Sequence, residues 1–340
     1  MALRLRASAS PRDRITAWVH PSFFVPALLL FALTLNATTG AQTRRRSEAH
    51  AARDNFSNAD RTAVERAIGT ACSERIRDPF GSAPIDEMQS RPSMPVNHPD
   101  AVAGARRADR LLPATRRLVA NAIVQLAKDY GLYRGVMRAR VNAGAARVQA
   151  VKHVRPNVDA RDNASVLLRD PRAIEFGTIF LAGLRSDEAM ISVLAHELTH
   201  VASGHGDSLR PLFRAIGQRA SSRTGMRIQG QRAEELACDL VGVVATREFI
   251  RQTPSWDPLP RRLARIVEHN CVEDDSSDAD HLSPRNTIRA LFSLDLELTR
   301  GLLGQDSPLG LLDRSKSVDT SHSRFLRSPA DERPLSVFLR

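Results

Sequence analysis

Residues 186–201 read Ser-Asp-Glu-Ala-Met-Ile-Ser-Val-Leu-Ala-His-Glu-Leu-Thr-His-Val, and the organisation of the rest of the chain follows from this stretch. Ser186 suits a helix N-cap, because its hydroxyl can accept a hydrogen bond from a backbone N–H that the first turn leaves unpaired. Asp187 and Glu188 put negative charge at the positive end of the helix dipole. Met190, Val193, Leu194, Leu198 and Val201 recur at helical spacing and define an apolar side. His196 and His200 lie four apart, so they share a face at the edge of that side. With Glu197 between them they spell H-E-x-x-H. In that pattern two imidazoles hold one zinc ion and the glutamate acts as a general base on water. The chemistry it points to is metal-assisted hydrolysis of an amide bond.

A hydrolytic zinc site takes three protein ligands and keeps one position open. One class completes the set with H-E-x-x-H-x-x-G-x-x-H. Here Ser203 and Gly206 occupy the required positions, and Gly204 and His205 are each one place off. His205 therefore reads as a neighbouring or surface residue. The other class takes a glutamate from a later helix. Glu235 and Asp239 stand one helical turn apart in the segment that follows, on one face. Glu235 is the candidate third ligand. Asp239 can accept from the far nitrogen of a ligand histidine and so fix its tautomer. Glu234 is the rival ligand, but no acid follows it at the same spacing. Alone, a Glu and an Asp so spaced would be ordinary decoration of a helix surface; the upstream motif raises them above that.

Periodicity predicts helices near residues 62–76, 111–130, 187–201, 209–220, 229–252, 259–269 and 284–303. Strand-like alternation covers 133–141, 147–154, 164–168 and 173–184. The expected fold class is α+β, rich in helix, with a small and mostly antiparallel sheet. Residues 42–110 are polar and proline-rich with one helix, 111–304 form the metal-binding domain, and 305–340 form a polar tail.

The first 41 residues have the three parts of a secretory signal. Arg4, Arg6, Arg12 and Arg14 precede an apolar run at 23–35, and small residues lead to Ala41. The run is short for a membrane span and is interrupted by Pro26. Export to a periplasmic or extracellular compartment is the expectation, with an uncleaved N-terminal anchor as the alternative. For an exported chain a disulfide between Cys72 and Cys271 is one hypothesis, which the sequence leaves open; Cys238 is the third cysteine. The net charge is +11, and Lys128, Lys152 and Lys316 are the only lysines. The arginines are scattered, with no stripe and no interleaved aromatics, which argues against a nucleic-acid partner. Peripheral contact with an anionic membrane surface remains compatible with that charge.

Residues 160–290 resemble the HtpX-like and CAAX-prenyl-protease-like zinc metallopeptidases. The resemblance rests on Leu194-Ala195-His196-Glu197-Leu198-Thr199-His200-Val201 and on Glu235-Leu236-Ala237-Cys238-Asp239-Leu240-Val241-Gly242. In the second segment Cys238 replaces the family's small alanine, which makes it a packing residue. The Asn163-Ala164 pair and the strand ending at Gly183-Leu184 are similar as well. The resemblance implies a gluzincin domain of the soluble exported branch, with one Zn2+ per chain on His196, His200 and Glu235. Glu197 would be the general base, Asp239 the supporting acid, and protein or peptide chains the substrates. It further implies that residues 174–180 form a sheet edge that pairs with an extended substrate. The family's H-P motif and following arginine match only in part: His281-Leu282-Ser283-Pro284 and Arg289 place Ser283 where the histidine should stand. His281 and Arg289 are the candidates for support of the site and of the oxyanion. A zinc-containing chaperone or partner-binding module with little turnover is the alternative function.

Overall fold

The computed structural model describes residues 56–166, 172–204, 208–273 and 277–305. The expected signal segment, residues 42–55, His205 and the tail from 306 onward lie outside the described residues. All described residues fall within one unit. Along it run α1 (Asn58–Arg77), α2 (Ile85–Ser90), α3 (Pro99–Asp129), α4 (Gly135–Ala150), β1 (His153–Asn157), β2 (Ala164–Val166) and β3 (Ala173–Gly177). There follow α5 (Thr178–Gly183), α6 (Asp187–Ser203), α7 (Arg210–Thr224), α8 (Gln231–Gln252) and α9 (Leu259–Ala264). A 3-10 turn at Glu268–Asn270, α10 (Pro284–Leu294) and α11 (Leu296–Leu302) complete the described chain. The helix-rich α+β expectation holds.

The sheet is mixed rather than mostly antiparallel. Its order is β1-β3-β2, with β1 parallel and β2 antiparallel to β3. β3 is thus the central strand, paired on both sides from Ile174 to Phe176. The expectation that residues 174–180 offer a free edge to a substrate is corrected accordingly. That stretch is also not one strand. At Gly177 the chain turns into α5, and the Arg161 carbonyl accepts from the N–H groups of Ile179 and Phe180, both at 3.1 Å. A Cβ at Gly177 would meet the Arg161 oxygen at 1.9 Å, so only glycine fits where the loop before β2 crosses.

Two further expectations change. Residues 135–141 and 147–150, expected as parts of two strands, lie in α4. Val141, Gly144 and Val148 are its buried positions, at helical rather than alternating spacing, and its alanines and arginines are strong helix formers. The proline-rich stretch before residue 110 is not a separate segment, because α3 runs unbroken across the expected boundary at 110/111 with Pro113 inside it. Val64, Ala67, Ile68 and Ala71 of α1 join the same core, packing toward α9, α10 and α11.

α6 lies at the centre of this core. It packs on α3, α4, α8 and β2, and its residues from Glu188 to Ala195 are all buried. The Ser186 hydroxyl accepts from Ala189 N at 3.1 Å, as a cap should. Glu188, buried in the first turn, is paired with the buried Arg262 at 2.6 Å. At the other end Gly204 takes φ +63°, and the Arg147 guanidinium of α4 donates to the carbonyls of Val201, Ala202 and Ser203. A cation on these last carbonyls satisfies acceptors that the helix cannot pair itself.

Candidate metal centre

The site is made where α6 and α8 cross. The two helices come close because Gly242 on α8 has no side chain: a Cβ there would meet the Ser192 carbonyl of α6 at 2.7 Å. That crossing sets the first helical turn-and-a-half of α8 opposite the second half of α6. His196, His200 and Glu235 then meet. Nε2 of His196 lies 3.1 Å from Nε2 of His200, and Oε2 of Glu235 lies 3.3 Å and 3.2 Å from the two nitrogens.

This near-equilateral triangle fits a metal ion. Ligands at about 2.0–2.1 Å from a tetrahedral zinc stand about 3.3 Å apart. Two imidazoles and a carboxylate are a borderline donor set of the kind zinc takes, and three ligands leave a fourth position open. Glu234, the rival ligand, lines a different cavity, between α7 and α8.

Each candidate ligand has a neighbour on its far side. Asp239 Oδ1 lies 2.7 Å from Nδ1 of His196, one turn of α8 beyond Glu235. Gln231, one turn before Glu235, donates from Nε2 to Glu235 Oε1 at 2.7 Å, which leaves Oε2 for the triangle. Cys238 Sγ is 3.7 Å from Nδ1 of His200. Residues 231, 235 and 239 thus form one stripe of α8. Gln231 went unnoticed in the sequence, although its spacing of four before a candidate ligand was the signal that marks it.

The electrostatics follow from burial and pairing. Burial pushes the Glu235 carboxyl up, but hydrogen bonds from His196 and His200 outweigh it and hold the group well below the carboxylate range. Burial pushes the His196 ring down, and the Asp239 carboxylate beside it more than reverses that, raising the ring well above its ordinary value. Glu197 is 6% exposed, and burial raises its carboxyl above the ordinary range, with His196 and His200 opposing. Burial pushes the Cys238 thiol well up, with Glu235 and Asp239 adding to it, so the sulfur is a neutral packing group as expected.

The candidates from the partial H-P match divide. His281 stands at the mouth, 58% exposed, with Nε2 3.8 Å from Glu235 Oε2 and Nδ1 3.3 Å from Asp278. Arg289 is not brought to the site. Its Nε donates to Glu65 of α1 at 2.8 Å and its Nη1 to Asn286 at 2.7 Å. Pro284 begins α10, so a residue one and a half turns on faces α1 rather than the metal ligands. A cavity of about 610 Å³ opens beside the triad, walled by His196, Asp239, Phe180, Val243, Ile266 and His269 among others.

No protein-family model, curated protein or solved structure matches this chain.

Proposed function

We propose that the chain is a zinc-dependent metalloendopeptidase of gluzincin type, exported from the cytoplasm and hydrolysing peptide bonds of protein substrates. The observation that carries this reading is the triangle of His196, His200 and Glu235 at mutual distances of 3.1–3.3 Å, with Glu197 adjacent in sequence to the first of them. The resemblance of residues 160–290 to the HtpX-like metallopeptidases points the same way.

A zinc ion held there supplies Lewis acidity, polarising a carbonyl and lowering the pKa of water at its open position. The chain's own residues do the rest. Glu197 takes a proton from the water as its oxygen bonds to the scissile carbonyl carbon. The same carboxyl then gives that proton to the departing amine as the C–N bond breaks. Burial, which raises its pKa, brings the carboxyl closer to the range where it can do both. Asp239 and Gln231 orient His196 and Glu235, so no ligand must rearrange when metal binds. The cavity lies within the size range of ligand pockets, and its mixed polar and apolar walls suit a bound peptide.

One structural fact supports export. Cys72 and Cys271 form a disulfide, which suits an oxidising compartment. Among the described residues, no helix is long and apolar enough to cross a membrane.

The test is Glu197→Gln. Cleavage of an unfolded protein substrate should fall by at least about 10²-fold, while zinc content and melting temperature stay those of the parent. Chelation should stop the parent and added zinc restore it. Parent-like cleavage by Glu197→Gln would overturn the reading. Substrate binding without any chelator-sensitive cleavage would favour the partner-binding alternative.

A further inference from the structure

We propose that His269 is a further active-site residue, whose imidazole N–H hydrogen-bonds the carbonyl oxygen of the scissile bond. The inference rests on the endopeptidase reading and adds to it a residue that no motif marks.

His269 lines the same cavity as His196 and Asp239. It sits on the 3-10 turn Glu268–Asn270, with its ring edge-on to Phe180 at 6.5 Å between centroids. Nδ1 is buried and has no hydrogen-bond partner. A buried N–H without an acceptor is rarer and costlier than a buried lone pair without a donor. The proton therefore resides on Nε2. That atom has no hydrogen-bond partner among the described residues and is not among the buried atoms without one, so it is an accessible donor on a residue that lines the cavity. Burial lowers the ring's pKa to about 4, with Asp239 opposing and His196 adding to the effect. The ring is then neutral at neutral pH and acts as a hydrogen-bond donor rather than as a cation. A dication on the triad would repel a proton further and keep it so.

The turn that carries His269 is tethered on both sides. Before it, Arg265 is buried against Asp78 at 2.5 Å and pairs with Asp257 at 2.8 Å. Within it, Glu268 Oε1 accepts from Ser82 N at 2.7 Å. Directly after it, Cys271 is bonded to Cys72 of α1. Three ties from α1 and the loop after it hold one short turn of the cavity wall. A donor aimed at developing charge needs such support, because it works only if it does not have to reorganise during the reaction. His281 lines the same cavity, with Nδ1 3.3 Å from Asp278 and Nε2 3.8 Å from Glu235 Oε2, but it is 58% exposed where Nδ1 of His269 is buried; Arg289 faces Glu65.

The test compares His269→Ala, His269→Gln, Glu197→Gln and the parent on one peptide substrate. In His269→Ala, kcat should fall by about 10²–10³-fold, the usual effect of losing one such donor. KM should change by less than about threefold, as expected for an interaction made mainly in the transition state. Zinc stoichiometry should stay that of the parent. His269→Gln, which keeps an N–H, should retain more activity than the alanine variant. The affinity of a phosphinic peptide inhibitor should fall across the series in proportion to kcat/KM, which a purely structural role would not produce. If His269→Ala folds poorly, the glutamine variant and the inhibitor series carry the same comparison. A kcat/KM for both His269 variants within about twofold of the parent, beside an inactive Glu197→Gln, would overturn the inference and leave the endopeptidase reading standing. Activity in Glu197→Gln would instead remove that reading, and the inference with it.

Discussion

His196 shows how one carboxylate, distant in sequence, sets the chemistry of a candidate ligand. Asp239 Oδ1 at 2.7 Å from Nδ1 fixes which nitrogen carries the proton and leaves Nε2 free to face the triad. Asp239→Asn keeps the shape but removes the charge. It should weaken zinc affinity by about 10–100-fold, the usual effect of losing such a partner, while Glu234→Ala should leave affinity unchanged. Competition with a chromophoric chelator measures both, and equal affinities for parent and Asp239→Asn would refute the role given to Asp239. At this scale the sequence was informative wherever a residue type and a spacing coincide. His196, His200, Glu235 and Asp239 could all be placed on helix faces by counting. Arg289 could not, because its position depends on where α10 sits, and in the fold it meets Glu65 of α1. His269 carried no spacing signal, since it reaches the cavity from a 3-10 turn held by partners far away in sequence.

Among elements, the close crossing of α6 and α8 is the decisive contact. Gly242 lets the Ser192 carbonyl approach to where a Cβ would lie 2.7 Å away. Gly242→Ala should therefore destabilise the protein by about 1–3 kcal/mol, as overpacking does. It should also weaken zinc binding, because Glu235 moves with α8. Urea denaturation with and without zinc separates the two effects; an unchanged midpoint would show that the helices have room to spare. The capped start of α6 and its apolar side were legible, because capping and periodicity are local properties. The character of α4 was not. Its alanines and valines alternate in places as a strand would, and the helix is decided by Val141, Gly144 and Val148 packing into the core. Likewise β3 reads as a strand but not as a central one, since strand order is set by which segments return to it.

For the whole molecule, α1 and the residues after it act as a clamp on the cavity wall. The Cys72–Cys271 bond spans 199 residues of sequence, and in the chain-entropy view a loop of that length is worth about 5 kcal/mol. Reduction should lower the melting temperature by several degrees at least, as read by calorimetry with and without a reductant. Glu268 lies under the same clamp, fully buried, and burial raises its pKa to about 7 from 4.5. A raised folded-state pKa means that the folded form holds the proton more tightly. The contribution of Glu268 is thus most favourable below pH 4.5 and is lost as pH rises through about 7. Relative to the parent, Glu268→Gln should gain stability between pH 5 and 8, by a few kcal/mol at most; parallel pH profiles of the two would contradict this. The clamp, the crossing of α6 and α8 and the stripe on α8 converge on one claim: that His196, His200 and Glu235 form a single zinc site. Calorimetric titration of zinc into the metal-free parent and into Glu235→Ala tests it most directly. The expected result is one tight site per chain in the parent and at least about a 10²-fold loss in the variant. Equal affinity and stoichiometry in the two proteins would contradict it.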